Sequence, residues 1–253
     1  DKLTAWGGVA DPVPWTTIFT GILIVNFFYW TTNQAIIQRS LAAKSLAEGQ
    51  KGILYAGVFL LFLPFLLNVP GLVSFHIFGD SIKTIDLAYP MLVSKVLPKP
   101  LLGFFTACLF GAILSTFNSF INSAATLFCY DIYRPMFKKD ISDEDLIKVA
   151  KIAGTIIAIV SMIIAPLLQY GTGGLFLLLK RFAGFFNIPI VALVAVGFLN
   201  KTVSGKAARI VVLLHVILYY SLVWIFKVQI NFTHVMGGLF VFDIIAMFIL
   251  GSI

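Results

Sequence analysis

The chain has 253 residues, 60% of them hydrophobic and only 11% charged, whereas a soluble domain averages about 45–50% apolar and about 25% charged. This composition excludes an ordinary water-soluble globule and makes the lipid bilayer the simplest solvent for the surface. The net charge of +7 does not point to nucleic acid, because the basic residues gather in short stretches between apolar spans, as membrane orientation requires.

A span needs about 20 apolar residues. By that measure the sequence predicts roughly seven segments, at about 14–38, 52–78, 100–133, 147–170, 173–199, 206–227 and 233–252. The stretches after the first, third and fifth carry Arg39, Lys44 and Lys51, then Arg134, Lys138, Lys139, Lys148 and Lys151, then Lys201, Lys206 and Arg209. The opposite side holds Lys2, Lys83, Lys95, Lys99 and Lys227. The richer side is expected to be cytoplasmic. The loop from Gly79 to Pro98 is expected to be external, with DLAYPMLVSKVL forming a short surface helix, and Ser142 or Asp143 to cap the fourth segment.

The first segment turns polar in mid-span, where NFFYWTTNQ (26–34) holds Asn26, Thr31, Thr32, Asn33 and Gln34. Such groups are costly in hydrocarbon unless they find partners. Either they bond to neighbouring helices, or the helix breaks there and lines a wet cavity for a solute. The absence of Gly and Pro from the break counts against full unwinding. The third segment repeats the pattern. At about 100° per residue, Ser115, Ser119, Asn122 and Thr126 form one stripe, with Ala112 and Thr116 beside it. Packing alone would be satisfied by Ala and Gly. Hydroxyl and carbonyl oxygens are hard ligands suited to an alkali cation, and the stripe holds no carboxylate before Asp131, which favours sodium over a proton relay.

Lys180 and Arg181 are adjacent charges in an apolar span and point about 100° apart, so one binds solute at most while the other snorkels. Asp243 is expected to make a helix–helix hydrogen bond. His76, His215 and His234 read as structural, Pro64, Pro166 and Pro189 as kinks, and Cys108 and Cys129 as neither a metal nor a redox pair.

NFFYWTTNQAIIQRSLAAKSLAEGQKG (26–52), STFNSFINSAATLFCYDIY (115–133) and GGLFLLLKRFAGFFNIPIVALVAVGFLNKTVSGKAA (173–208) closely resemble, in order and spacing, the sodium/solute symporter family, which includes sodium/galactose and sodium/glucose cotransporters. The resemblance implies an all-α polytopic membrane protein, the second half of a five-plus-five inverted-repeat transporter. Residues 1–13 would be an external loop, 14–199 the second repeat with its first helix broken near 26–34, and 200–253 two peripheral helices. The first repeat, an N-terminal half of the same protein, would be the missing partner.

Carried over by position, the resemblance implies sodium ligands at the Ala112 carbonyl and the Ser115 and Thr116 hydroxyls. Asn118 and Ser119 match a second sodium site of some members, with Asn118 a departure. Asn26 matches a sugar-binding Asn, Tyr29 the stacking inner gate, Trp30 and Asn33 neighbouring positions, and Phe176 an aromatic outer gate. Two positions leave the sugar pattern: Leu60 replaces a sugar-binding Lys, and Lys180 stands for a sugar-binding Gln. The expected function is sodium-coupled symport of a small polar solute, a sugar or polyol, in the cell membrane, with no enzymatic activity. The competing reading is a seven-helix receptor holding a chromophore on an intramembrane Lys.

Overall fold

A computed structural model describes residues 7–8, 11, 13–170, 175–201 and 203–251. Most of the expected external loop 1–13, including Lys2, lies outside the described residues, as do Gly173 and Gly174 at the start of the expected fifth segment and Ser252 at the end of the seventh. Among the described residues there is no β-strand, and the chain is an all-α, multi-pass membrane protein. Its α-helices are α1 (Gly21–Thr31), α2 (Gln34–Leu41), α3 (Leu46–Phe78), α4 (Ala88–Val96), α5 (Lys99–Leu127), α6 (Arg134–Met136), α7 (Asp143–Ile164), α8 (Leu175–Leu199), α9 (Gly205–Tyr220) and α10 (Phe232–Gly251). Among the described residues, six stretches are long and apolar enough to cross a bilayer: Leu46–Ser81, Lys99–Met136, Asp143–Leu168, Leu175–Leu199, Gly205–Ile225 and Phe232–Gly251. The first expected span, 14–38, is instead a 3-10 turn (Trp15–Phe19) followed by α1 and α2. Eleven residues of α1 rise about 16 Å, well short of a hydrocarbon core of about 30 Å.

Local chemistry sets the helix ends. Ser45 Oγ accepts from the Glu48 backbone N–H at 3.3 Å and so caps α3, with Glu48 in the first turn facing the positive end of the helix dipole. Ser142 does the same for α7, accepting from Asp145 N–H at 3.3 Å, so Ser142 rather than Asp143 is the cap. The expected surface helix is α4, entered through a 3-10 turn at Ile85–Leu87. The long third segment continues from α5 through a π-helical stretch, Phe128–Tyr133, into α6. Pro64 and Pro70 lie inside α3 and Pro189 inside α8. Pro166 falls where α7 gives way to a 3-10 segment, Ala165–Tyr170, since a proline lacks the N–H that would continue the α-helix.

The chain divides into two compact units, one of Asp1–Ile37 with Phe176–Ile253, the other of Gln38–Leu175. In the first, α8 buries Gly184, Ile188, Val191, Ala192 and Val196, and α9 buries Ala207, Val211, His215 and Tyr219, each an inward stripe at helical spacing. With Ile24 of α1 and Val235, Met236 and Leu239 of α10, they build the core. The start of α1 meets the start of α10 closely. A Cβ on Gly21 would fall closer than 3.0 Å to the Thr233 backbone, and one on Gly237 would lie 2.7 Å from Thr20 Cβ. His234 secures this seam, with Nε2 3.0 Å from Thr16 Oγ1 and Nδ1 3.1 Å from Thr20 Oγ1.

In the second unit, α5 packs on α7 and α3 on α4. Most of α3 offers its apolar side chains outward, with Leu54 70%, Phe59 75% and Phe65 70% exposed. A water-soluble surface does not carry apolar patches of this extent, and lipid or further transmembrane helices would cover them.

Candidate functional site

The polar break of the first segment lies at Thr32–Asn33 and is built from side chains rather than from Gly or Pro. The Thr32 and Asn33 backbone N–H groups both donate to the Phe28 carbonyl, at 3.0 and 2.9 Å, which ends α1. The Thr31 and Thr32 hydroxyls turn back to the Phe27 and Phe28 carbonyls, at 2.6 and 3.1 Å. Asn33 Oδ1 then accepts from Ala35 N–H at 3.0 Å, and the Asn33 carbonyl accepts from Ile36 and Ile37. Asn33 is thus the N-cap from which α2 restarts, and its side-chain oxygen is committed to the backbone. A Thr-Thr-Asn run ahead of an apolar restart was the legible signal.

On α1, Asn26, Tyr29 and Trp30 fall within about 100° of one another. Asn26 is exposed and donates from Nδ2 to the Ile22 carbonyl at 3.0 Å. Tyr29 is 42% exposed and meets Trp30 edge-on, with ring centroids 5.4 Å apart. On α8, Phe176 and Lys180 form a second pair one turn apart, with the Lys180 ammonium 5.5 Å from the centre of the Phe176 ring. Arg181 turns elsewhere, to Phe232, as adjacent helical residues must. Helices α1 and α8 share the core around Ile24, Phe28, Phe185 and Ile188.

The oxygen stripe of α5 belongs to the other unit and divides into two parts. Ala112, Ser115 and Thr116 occupy one exposed face at i, i+3 and i+4. The Thr116 hydroxyl donates to the Ala112 carbonyl at 3.0 Å, so both oxygens sit side by side, and the hydroxyl keeps lone pairs for a cation. One turn on, α2 takes over. Arg39 Nη2 donates to Ser119 Oγ, and Ser119 itself donates to the Ser115 carbonyl at 2.9 Å. Gln38 Nε2 reaches the Ser119 carbonyl at 3.5 Å, and Gln38 Oε1 accepts from Asn122 Nδ2 at 3.4 Å.

Asn118 and Ser119, paired above as a second sodium set, are not brought together. Asn118 lines a groove of about 960 Å³ between α5 and α7, with Asn122, Thr126, Lys151 and Thr155, whereas Ser119 faces the Arg39 guanidinium. Successive helical residues point about 100° apart, and a fixed positive charge on Ser119 opposes a metal cation there. Leu60, where the sugar pattern has Lys, is 41% exposed on α3.

By charge pattern Arg39 belongs to a loop and Gln38 carries no signal, whereas both lie in α2 and bond to α5. Asp243, by contrast, makes the expected helix–helix bond, to His215 on α9 at 2.7 Å.

Residues 8–210 match the family profile described as "Sodium:solute symporter family". Over its whole length the chain is 42% identical to a protein of Escherichia coli (strain K12) named "Uncharacterized symporter YidK", of which it covers 44%. It is 35% identical over 206 residues to the sodium/glucose cotransporter of Vibrio parahaemolyticus, an alignment spanning 75% of this chain and 38% of the relative. It is 30% identical over 217 residues to sodium/myo-inositol cotransporter 2 of Oryctolagus cuniculus, spanning 79% of this chain and 32% of the relative. The chain therefore spans less than half the length of these relatives. With an interrupted first helix, an oxygen-lined face on a separate segment and a family match over most of its residues, the chain belongs to the sodium:solute symporter family.

Proposed function

We propose that the full protein is a sodium-coupled symporter of a small polar solute, a sugar or polyol, working by alternating access across a cell membrane, with the basic loops inside. The observation that carries this reading is the interruption at Thr32–Asn33, which sets exposed Asn26 and Tyr29, with half-buried Trp30, beside a helix break in a segment otherwise apolar. Open backbone at membrane depth is tolerated only where it is buried in protein or lines a water-filled cavity. The relatives named for glucose and myo-inositol support a polyhydroxylated solute.

In this reading the Ala112 carbonyl and the Ser115 and Thr116 hydroxyls give half of a sodium site, the rest coming from the first repeat. Ser115 has its hydroxyl free to turn toward the ion, and Thr116 needs only to rotate its hydrogen away. Asn26 hydrogen-bonds the solute through its carboxamide and Tyr29 stacks on the apolar C–H face of a sugar ring, while Phe176 closes the external side. Lys180 shifts preference away from glucose and galactose themselves toward a solute with a different hydroxyl pattern or an acidic group. Asn33 contributes through the break it caps. Sodium and solute couple because both stabilise the same conformations.

The test is uptake by the full-length protein in proteoliposomes, with glucose, galactose, myo-inositol and a sugar acid as labelled candidates. At least one should accumulate in sodium chloride, with uptake falling to background when choline replaces sodium. Equal accumulation in both salts would contradict the proposal. A seven-helix receptor finds no support in the broken first segment or in the family match.

A further inference from the structure

Two side chains one turn apart on α9 reach two carbonyls of α8. Tyr219 donates its hydroxyl to the Arg181 carbonyl at 2.9 Å. His215 Nε2 lies 3.0 Å from the Gly184 carbonyl, and its Nδ1 lies 2.7 Å from Asp243 Oδ2 on α10. A carbonyl can only accept, so Nε2 carries the hydrogen. Whichever of Nδ1 and Asp243 holds the proton between them, the bond to Gly184 stands. The three side chains are fully buried. Gly184 permits the approach, since a Cβ there would fall closer than 3.0 Å to the Tyr219 ring and to Met236 Cε. Rings lock the donors in place: His215 stacks on Tyr219 with centroids 5.9 Å apart, and Phe185 meets Tyr219 edge-on at 5.0 Å.

Within a continuous helix the Arg181 and Gly184 carbonyls already accept from the backbone N–H four residues on. Extra donors are not needed to satisfy them, and apolar residues would fill the same space without bringing polar groups out of water. What the donors add is a directional tie. It falls next to the weak point of α8, because Pro189 lacks the N–H that would bond the Phe185 carbonyl. Beyond the tie, toward the start of α8, Phe176 and Leu179 are 61% and 52% exposed.

We propose that His215, Tyr219 and Asp243 are positioning residues that hold the start of α8, with Phe176 and Lys180, against α9 and α10 through the Arg181 and Gly184 carbonyls. This deepens the proposed function, in which that end of α8 lines the solute path, but its test needs no transport. In full-length purified protein with every native cysteine replaced by serine, Cys108 and Cys129 among them, a single cysteine is placed by Phe176→Cys, or as a control by Lys201→Cys at the far end of α8. The probe is a water-soluble maleimide, and the readout is the labelling rate.

Tyr219→Phe, which removes only an oxygen, should speed labelling at position 176 about threefold or more, the worth of one ordinary hydrogen bond. His215→Leu should do at least as much, and His215→Gln, which keeps a donor, should recover most of the original rate. Position 201 should label unchanged throughout. Unchanged labelling at position 176 in Tyr219→Phe would overturn the proposal, and so would equal acceleration at both positions, which marks general loosening. If His215→Leu does not fold, Tyr219→Phe still decides. A protein whose uptake ignores sodium would sink the symport reading while leaving this tie standing or falling on its own rates.

Discussion

Removing both hydroxyls from the exposed face of α5, Ser115→Ala with Thr116→Ala, should raise the sodium concentration that half-saturates uptake by about 100-fold in the full-length protein. Each hydroxyl facing a cation resembles a hydrogen bond to a charged group, worth about 1.5–3 kcal/mol, and the two sit on adjacent residues. Folding should survive, since alanine is the best helix former and both side chains are exposed on α5. Thr116→Ser should stay near the parent because it keeps the oxygen, whereas Thr116→Val, which keeps the shape, should behave like the alanine. If Thr116→Val leaves sodium dependence intact, the α5 face is a packing seam and the ion binds elsewhere. Ser119→Ala should weaken sodium far less, since Ser119 serves Arg39 and the Ser115 carbonyl. Loss of sodium affinity equal to that of Thr116→Val would restore the second-site reading of Ser119.

The second large effect concerns the solute. Asn26→Leu should raise the half-saturating solute concentration at least about tenfold if the proposed site is right, because it removes the hydrogen-bonding groups assigned there to the solute and leaves the solute hydroxyls unpaired. Sodium half-saturation should move less and through coupling alone, so high sodium should recover part of the loss. Asn33→Ala provides the contrast. Asn33 Oδ1 caps α2 through Ala35 N–H, and loss of such a cap costs about 1 kcal/mol. Its effect should therefore appear in protein stability as well as uptake, and Asn33→Asp or Asn33→Ser should restore both. Solute affinity lost in Asn33→Asp with stability unchanged would make Asn33 a direct solute ligand instead. A Tyr29→Phe variant should keep most of the affinity, since stacking uses the ring, and Tyr29→Ala should lose it.

Much of the fold was written in local pattern. Hydrophobic length located six spanning helices to within a turn or two at each end, and Ser142 was legible as a cap because its role is played out within three residues. The position of the first-segment break was legible from the cost of polar groups in lipid. Its construction was missed, because attention went to Gly and Pro while Thr32 and Asn33 ended one helix and began the next. Tertiary pairings were less accessible. Nothing local ties Arg39 to Ser119, eighty positions apart, or chooses His215 as the partner expected for Asp243. The π-helical stretch at Phe128–Tyr133 holds no breaker residue within it, and the one nearby signal is Pro135, which lacks the N–H that would bond the Asp131 carbonyl. The candidate site was legible as residue types and faces. Which oxygens stay open, at Ser115 and Thr116, and which are taken, at Ser119 and Asn33, required the partners.

The most direct measurement is the melting temperature of purified full-length protein titrated with sodium chloride against choline chloride at constant ionic strength. A ligand that binds the folded state stabilises it by RT ln(1 + [L]/Kd). The account predicts a saturable rise in sodium, none in choline, and a curve for the Ser115→Ala, Thr116→Ala variant displaced to about 100-fold higher sodium. Identical curves in the two salts, or an undisplaced sodium response in the variant, would contradict it.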